Sequence, residues 1–150
     1  MRLEPDAAWS LLLTTEHGVL STVHAERGVD AVPVVFAALD DRRLAIPIDT
    51  VKAKSTTKLQ RLANIERDPR CVLLVDHYDD DWDTLWWIRV RGRARVLDQG
   101  EERERALALL AAKYPQYERE PPDGPVLAVD LTEERSWSSR APRDAPARGS

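Results

Sequence analysis

The chain is organised around residues 44–59, which read LAIPIDTVKAKSTTKL. The apolar start of this segment predicts a short strand, and the rest predicts a tight turn that opens a helix. Ser55 or Thr56 would cap that helix, whose first backbone N–H groups have no partner inside it. Three lysines flank the same helix end: Lys52, Lys54 and Lys58. Together these groups favour a site for a phosphate-bearing redox coenzyme, although an ordinary helix start with solvated lysines fits the same pattern.

Composition narrows the class of protein. A chain of 150 residues fits one domain, which would bury about 68–70% of the surface of its unfolded chain. The 22 Lys and Arg against 26 Asp and Glu give a net charge of −4, which argues against general nucleic-acid binding. No apolar run approaches the roughly 20 residues of a membrane span, and no signal peptide opens the chain. We therefore expect a soluble, cytoplasmic protein with neither nucleic-acid nor membrane partners.

The secondary-structure pattern predicts a mainly β domain. Six strands are predicted, at 19–24, 30–39, 44–48, 71–75, 86–96 and 126–131, the last running on toward Trp137. Helices are predicted at about 4–17, 55–67 and 101–114, with a loop at 115–125. Pro33 cannot donate a ladder hydrogen bond, so its strand should lie at an edge or carry a bulge. This order favours a small antiparallel β-barrel with peripheral helices, with an open α+β sandwich as the alternative. Residues 1–140 would form the domain and 141–150 a disordered tail.

The strand at 86–96 has the clearest pattern in the chain. Its apolar side carries Trp86, Ile88, Val90, Gly92, Ala94 and Val96, and its other side carries Trp87, Arg89, Arg91, Arg93 and Arg95. This strict period of two is typical of a half-buried strand. We expect Arg93 and Arg95 to pair with acids of a neighbouring strand. Trp87 and Arg89 suit a ligand or subunit interface better than a core.

Aromatic side chains cluster just before and within that strand. Tyr78, Trp82, Trp86 and Trp87 fall within ten residues, and His77 adjoins them. Aromatic walls with a few fixed polar groups are what a flat heteroaromatic ligand needs. The same tryptophans could instead fill a core or a subunit interface.

Several other chemistries lack support. Asp79, Asp81 and Asp83 imitate the start of a calcium loop, but the sixth position is Thr84 and the twelfth Val90. The three histidines are scattered without metal-ligand spacing, so we expect no metal site. The single cysteine, Cys71, opens an apolar strand and is interpreted as a small core residue. Neither a nucleophile elbow nor a phosphate-cradling glycine loop is present.

A succession of short motifs resembles a known family. These motifs are GVLSTV at 18–23, VPVVF at 32–36, Ile48-Asp49 with Lys52 and Lys54, RLANIERDPR at 61–70, VDHYDDDW at 75–82, LWWIRV at 85–90 and GRA at 92–94. Their order and spacing resemble the pyridoxamine-phosphate-oxidase-like split-barrel family over about residues 7–138. Within it the chain resembles the actinobacterial branch that uses the deazaflavin coenzyme F420.

The resemblance implies a six-stranded antiparallel split β-barrel of the FMN-binding type and a homodimer with cofactor sites at its interface. By position, the phosphate and anionic tail would be held by Lys52, Lys54, Ser55, Thr56 and Lys58. The ring system would be lined by Ile48 and Asp49, packed from beneath by Val34, Val35 and Phe36, and reached across the interface by Trp86, Trp87 and Arg89.

The implied activity is that of an F420-dependent oxidoreductase, acting as a reductase. A hydride would pass between the deazaflavin and an unsaturated, planar small molecule, with a proton from water, Tyr78 or His77. Two alternatives remain open: an oxidoreductase of the same fold that binds flavin mononucleotide (FMN), and a non-catalytic protein that carries a coenzyme.

Overall fold

The computed structural model describes residues 1–48 and 56–140, with side chains throughout except at 56–59. The predicted tail at 141–150 and the predicted turn at 49–55 lie outside these ranges, so both stay predictions. The domain boundary at residue 140 likewise stays a prediction.

Seven antiparallel strands and four α-helices make up the described part of the chain. The strands are β1 (Gly18–His24), β2 (Gly28–Val34), β3 (Ala37–Asp40), β4 (Arg43–Pro47), β5 (Arg70–His77), β6 (Trp86–Leu97) and β7 (Val126–Ser138). The helices are α1 (Pro5–Thr14), α2 (Thr56–Arg67), α3 (Glu101–Lys113) and α4 (Pro115–Arg119), with a 3-10 turn at Trp82–Thr84. All seven strands form one sheet in the order β2-β1-β5-β6-β7-β4-β3. Helix α4 replaces part of the predicted loop at 115–125.

The prediction of one strand at 30–39 is wrong, and with it the count of six strands. That stretch forms β2 and β3, which lie at opposite edges of the sheet. Only Val35 and Phe36 separate them, and the three Cα–Cα steps involved span at most about 11 Å. The two edges therefore approach each other at this corner without pairing, so the sheet is curled but not closed. Pro33 does lie on an edge strand, as predicted.

The break between β2 and β3 is held by groups from distant sequence. The Phe36 side chain is fully buried. Its N–H donates to Tyr114 Oη at 3.1 Å, and its carbonyl accepts from that hydroxyl and from Lys113 Nζ, each at 2.8 Å. Because these partners come from the end of α3 rather than from a strand, the ladder stops here and the chain changes edge.

The predicted alternation along β6 is confirmed. Ile88, Val90 and Ala94 are buried, whereas Arg91, Arg93 and Arg95 are exposed. Arg95 pairs with Asp130 on β7 at 3.1 Å and with Glu102 on α3 at 3.0 Å, as predicted. The same prediction is wrong for Arg93, which forms no ion pair with a described residue because the acid opposite it, Asp130, binds Arg95.

The core has two parts, one on each side of the curled sheet. The larger part fills the inside of the curl beneath α1 and α2 and is centred on Leu12, Phe36, Ile46, Ile88 and Leu127. The smaller part lies between α3 and the outside of β3, β4 and β7, and is centred on Ala45, Ala106, Leu110, Val126 and Ala128. None of the helices described is long and apolar enough to cross a membrane.

Cys71 is a buried core residue, as the sequence predicts. It lies on β5 with 5% of its surface exposed, and burial raises the pKa of its thiol to about 12. Within residues 1–48 and 56–140, no group of three or more His, Cys, Asp or Glu side chains could hold a metal ion.

Candidate functional site

One face of the sheet carries exposed apolar side chains. We call it the outer face; it consists of the outward-pointing residues of β2, β1, β5, β6 and β7. Val19 lies opposite Leu74, which lies opposite Arg89, and Trp87 lies opposite Trp137. Val19, Leu74 and Trp137 are 38%, 39% and 37% exposed. A contiguous apolar area of this kind marks an interaction or ligand-binding surface.

An aromatic cleft of about 320 Å³ opens at one end of this face. Its lining consists of Leu74, Asp76, Tyr78, Leu85, Trp86, Trp87, Arg89 and Trp137. Four residues singled out from the sequence therefore lie together here: Tyr78, Trp86, Trp87 and Arg89. The period of two along β5 and β6 accounts for Trp87 and Arg89, because their cross-strand neighbours Asp76 and Leu74 face the same side. By the same rule Trp86 belongs to the opposite face, and it lines the cleft from the first position of β6.

Arg89 gives the aromatic cleft a positive charge. Its guanidinium carbon lies 5.5 Å from the centroid of the Trp87 ring, in the range of a cation–π contact. Its Nε is buried and has no hydrogen-bond partner in the described part of the chain. A buried donor left unpaired is costly, so the cleft suits a ligand that brings an acceptor to this nitrogen.

Of the two candidate proton donors, Tyr78 lines the aromatic cleft and His77 contacts one of its lining residues, Trp86. The His77 ring stacks on Trp86 with centroids 6.3 Å apart, and its Nε2 lies 2.8 Å from Asp79 Oδ2. Partial desolvation opposes ionisation of Asp79, but hydrogen bonds from Thr84, the Asp81 N–H and His77 hold its carboxyl pKa below the usual value. Tyr78 is 71% exposed. A histidine oriented by a carboxylate can pass a proton, and the role itself stays a prediction.

A second cavity, of about 280 Å³, contains a buried arginine that the sequence reading missed. Arg61 on α2 is only 8% exposed. Burial lowers the pKa of its guanidinium, and its Nε has no hydrogen-bond partner among the described residues. Asp30 in the same cavity is engaged by Asn64 at 2.9 Å and by Arg27 at 3.0 Å.

Helical spacing could have identified Arg61. It lies one turn before Ile65, which is 3% exposed, so the pattern of α2 puts both on the buried face. A buried cation without a carboxylate partner is expensive, and an incoming anion would offset that cost. The cavity is therefore a candidate anion site close in sequence to the predicted lysine cluster.

The other predicted site residues divide into two groups. Val34, Phe36 and Ile48 are buried in the core and Val35 is half-buried, and none of them lines the aromatic cleft. Thr56 and Lys58 belong to α2 by their backbone, with side chains outside the description. Asp49, Lys52, Lys54 and Ser55 lie outside the described residues, so the lysine cluster stays a prediction.

The sequence reading also missed part of the lining of the aromatic cleft. Trp137 is the cross-strand neighbour of Trp87, and Leu74 is that of Arg89. Neither residue type by itself indicates a ligand-binding role. The signal would have been the register of β5 and β7 against β6, which the alternating pattern alone does not fix.

Comparisons with known proteins agree with this fold. A family model described as pyridoxamine 5'-phosphate oxidase matches residues 5–138. No curated protein sequence matches significantly.

Solved structures with the same fold share little sequence with this chain. A conserved hypothetical protein of Mycobacterium tuberculosis superimposes with a TM-score of 0.72 at 20% identity, over 91% of this chain and 85% of that one. The FAD-binding protein of Mycobacterium smegmatis gives 0.60 at 17% identity, over 91% and 96%. HupZ of Group A Streptococcus gives 0.63 at 17% identity, over 90% and 95%. At such identities the likeness concerns the fold alone.

Proposed function

The chain belongs to the pyridoxamine 5'-phosphate oxidase family, and from this we propose that it is an oxidoreductase with a flavin-type coenzyme. We favour the deazaflavin F420 over FMN, as the sequence resemblance does. The observation that carries the proposal is the aromatic cleft on the outer face. Its substrate would be an unsaturated, planar small molecule that stacks beside the coenzyme ring.

The residues of the aromatic cleft fit such a coenzyme. Its volume of about 320 Å³ lies within the ~300–1,000 Å³ of small-molecule sites. Trp86, Trp87 and Trp137 offer flat apolar surface for a ring system, and Arg89 offers an unpaired buried donor. A coenzyme with ring carbonyls supplies the acceptor that this donor lacks.

The anionic part of the coenzyme requires a separate cationic site. The Arg61 cavity meets this need, and the predicted lysine cluster of Lys52, Lys54 and Lys58 would extend it. F420 carries an oligoglutamate tail beside its phosphate, so a basic region of several cations suits it better than a single phosphate contact. This is the physical reason for preferring F420.

A homodimer would bring the two parts of the site together. Thr22 in the Arg61 cavity is buried inside the curl, whereas Leu74 and Trp87 of the aromatic cleft lie on the outer face. A coenzyme that touches both parts therefore has to pass a sheet edge or be shared between two copies. The exposed apolar side chains of the outer face support the second arrangement, with the cofactor sites at the subunit interface.

The protein contributes binding, orientation and proton handling. The bound coenzyme would supply hydride transfer. The tryptophans exclude water and hold the ring plane, and Arg89 fixes its orientation. His77, held by Asp79, and the exposed Tyr78 would pass the proton, and the bond between His77 Nε2 and Asp79 supports that role for the histidine.

Coenzyme identity can be tested by purification and titration. Protein made in a host without F420 should be colourless and should quench the fluorescence of added F420 with a saturable curve. Arg89→Met should weaken that binding, while Arg119→Met, an exposed arginine on α4, should leave it unchanged. A yellow protein with bound FMN and no response to F420 would contradict the choice of F420.

Turnover distinguishes an enzyme from a carrier. Oxidation of reduced F420 in the presence of enones or quinones should be protein-dependent and should fall in Trp87→Ala. Tight coenzyme binding without turnover across such a panel would favour the carrier. The FMN alternative is supported by the family itself and by the FAD-binding protein that shares the fold.

The lysine cluster has its own test. Lys54→Ala combined with Lys58→Ala should weaken coenzyme binding by ~1–3 kcal/mol per lost charge-assisted contact and leave the fold intact. Unchanged affinity in the double variant would remove these lysines from the site.

A further inference from the structure

A basic groove lies on the outer face, at the opposite end from the aromatic cleft. We call it the arginine groove; it has a volume of about 420 Å³. Arg70, Arg91 and Arg93 line it together with the apolar side chains of Val29 and Val72. Val29 is 67% exposed, so the groove combines positive charge with uncovered apolar surface.

The charges in the arginine groove are not fully balanced by the part of the chain that the structure describes. Arg70 binds Asp68 at 2.7 Å and Arg91 binds Glu133 at 3.1 Å. Arg93 forms no ion pair with any described residue. It lies between Arg70 on β5 and Asp130 on β7, and Asp130 is already bound by Arg95 at 3.1 Å. Like charges at directly opposed positions destabilise an antiparallel pair. An external anion would relieve this repulsion.

The complementary surface is a loop of the same chain. We call residues 78–83 the acidic loop; they read YDDDWD. Tyr78 and Trp82 are 71% and 69% exposed, which is unusual for large aromatic side chains. Asp79 Oδ1 accepts the Asp81 N–H at 2.9 Å, and Asp81 Oδ1 accepts the Asp83 N–H at 3.0 Å. The acidic loop is thus held in one shape and presents negative charge beside an aromatic ring.

The acidic loop and the arginine groove are spaced so that two copies can exchange them. The β5–β6 ladder has eight residue pairs, from Arg70–Arg93 at the groove to His77–Trp86 beside the loop. That ladder is ~24 Å long. A two-fold axis across its middle, near Leu74, turns one copy end for end over the other. Each loop then lies over the other copy's groove, and the exposed Leu74 side chains meet near the axis.

We propose that the outer faces of two copies pack in this way, with the acidic loop of each copy bound in the arginine groove of the other. The proposal rests on the homodimer of the proposed function and names the contacts that hold it together. Trp82 covers the apolar part of the groove, and Asp80, the loop aspartate that no described residue binds, neutralises Arg93. Asp83 is already paired with Arg140 at 3.4 Å. Each contact occurs twice, so its effect on association is doubled.

Charge reversal and re-pairing test the contact, with the coenzyme absent. Asp80 is the best loop position, because it is exposed and makes no hydrogen bond that shapes the described loop. Asp80→Arg and Arg93→Glu should each raise the dimer dissociation constant about tenfold or more, measured by sedimentation equilibrium. The double variant should return it to near the wild-type value. Asp98→Arg and Arg119→Glu, at exposed positions elsewhere, are the matched controls and should change nothing.

The outcomes separate this proposal from the one it rests on. A dimeric wild type whose Asp80→Arg and Arg93→Glu variants dimerise equally well overturns the docking mode alone. So does a double variant that is weaker than both single ones. A monomeric wild type overturns the homodimer and the docking mode together, while coenzyme binding by that monomer would leave the coenzyme assignment standing.

A cross-linking experiment gives an independent readout. Asp80→Cys and Arg93→Cys proteins, mixed in equal amounts and oxidised, should form a disulfide-linked dimer that neither protein forms alone. Both proteins also carry Cys71→Ala, because Cys71, although only 5% exposed, is among the residues that line the arginine groove. A mixture that cross-links no more than either protein by itself overturns the proposal.

Discussion

Replacing Arg61 by methionine should make the protein more stable and its coenzyme binding weaker. The two effects share one cause, because Arg61 is only 8% exposed, its guanidinium Nε has no hydrogen-bond partner among the described residues, and it forms no ion pair with them. Folding without a ligand therefore buries a charge at a cost, and a bound phosphate would offset that cost. Methionine fills a similar volume and carries no charge.

The magnitudes follow from that environment. Removing an uncompensated buried charge in favour of an apolar side chain should raise the free energy of unfolding by about 1–2 kcal/mol. Losing a charge-assisted contact to the ligand costs ~1.5–3 kcal/mol, which corresponds to roughly 10- to 150-fold in the dissociation constant. Stability should therefore rise while coenzyme affinity falls. A substitution that merely damaged the fold would lower both.

Urea unfolding without ligand and fluorescence titration with F420 measure the two quantities on the same preparations. Arg119→Met makes the same chemical change at an exposed site and should alter neither. A less stable Arg61→Met protein with unchanged coenzyme affinity would refute the reasoning, because Arg61 would then be a structural residue satisfied by the fold.

Three further predictions concern the fold. Tyr114→Phe should lower the free energy of unfolding by about 1–3 kcal/mol, because it leaves the buried Phe36 N–H without its acceptor; unchanged urea unfolding would contradict this. Gly92→Ala should cost about 1–3 kcal/mol, since a Cβ there would lie 2.6 Å from Val129 Cγ1, and a normal melting temperature would count against it. Hydrogen bonds and charge from Arg70 lower the pKa of Asp68 from 3.8 to about 2. The resulting stabilisation is present above pH 4 and is lost as the pH falls toward 2, so the free energy of unfolding should fall more steeply over that range in the wild type than in Asp68→Asn.

Side-chain periodicity predicted the strands whose two faces differ. The alternation from Trp86 to Val96 correctly predicted β6 and its exposed arginines. The apolar run that begins at Cys71 correctly predicted an internal strand. The break at Val35–Phe36 could not be predicted this way, because the stretch 30–39 is largely apolar and its one irregular residue, Pro33, predicts an edge or a bulge but not a break. What interrupts it is Tyr114, a residue far away along the chain.

The candidate site was predictable only in part, for a related reason. Residues close together in sequence, such as Tyr78, Trp86, Trp87 and Arg89, were found because local spacing puts them at one end of a hairpin. Trp137 and Leu74 join them through cross-strand register. Arg61 can be recognised as a candidate site residue only from the structure, because what distinguishes it is a buried Nε without a hydrogen-bond partner among the described residues.

The buried thiol of Cys71, on β5, can be used to measure how often the sheet opens. Cys71 lies near the start of β5, an interior strand, with 5% of its surface exposed and the pKa of its thiol raised to about 12, so alkylating reagents react with it mainly when strands separate. The rate of alkylation therefore measures how often the strands around Cys71 separate. Occupancy of the coenzyme site or burial of the outer face against a second copy should each slow that labelling, which gives an assay of assembly that needs neither colour nor turnover.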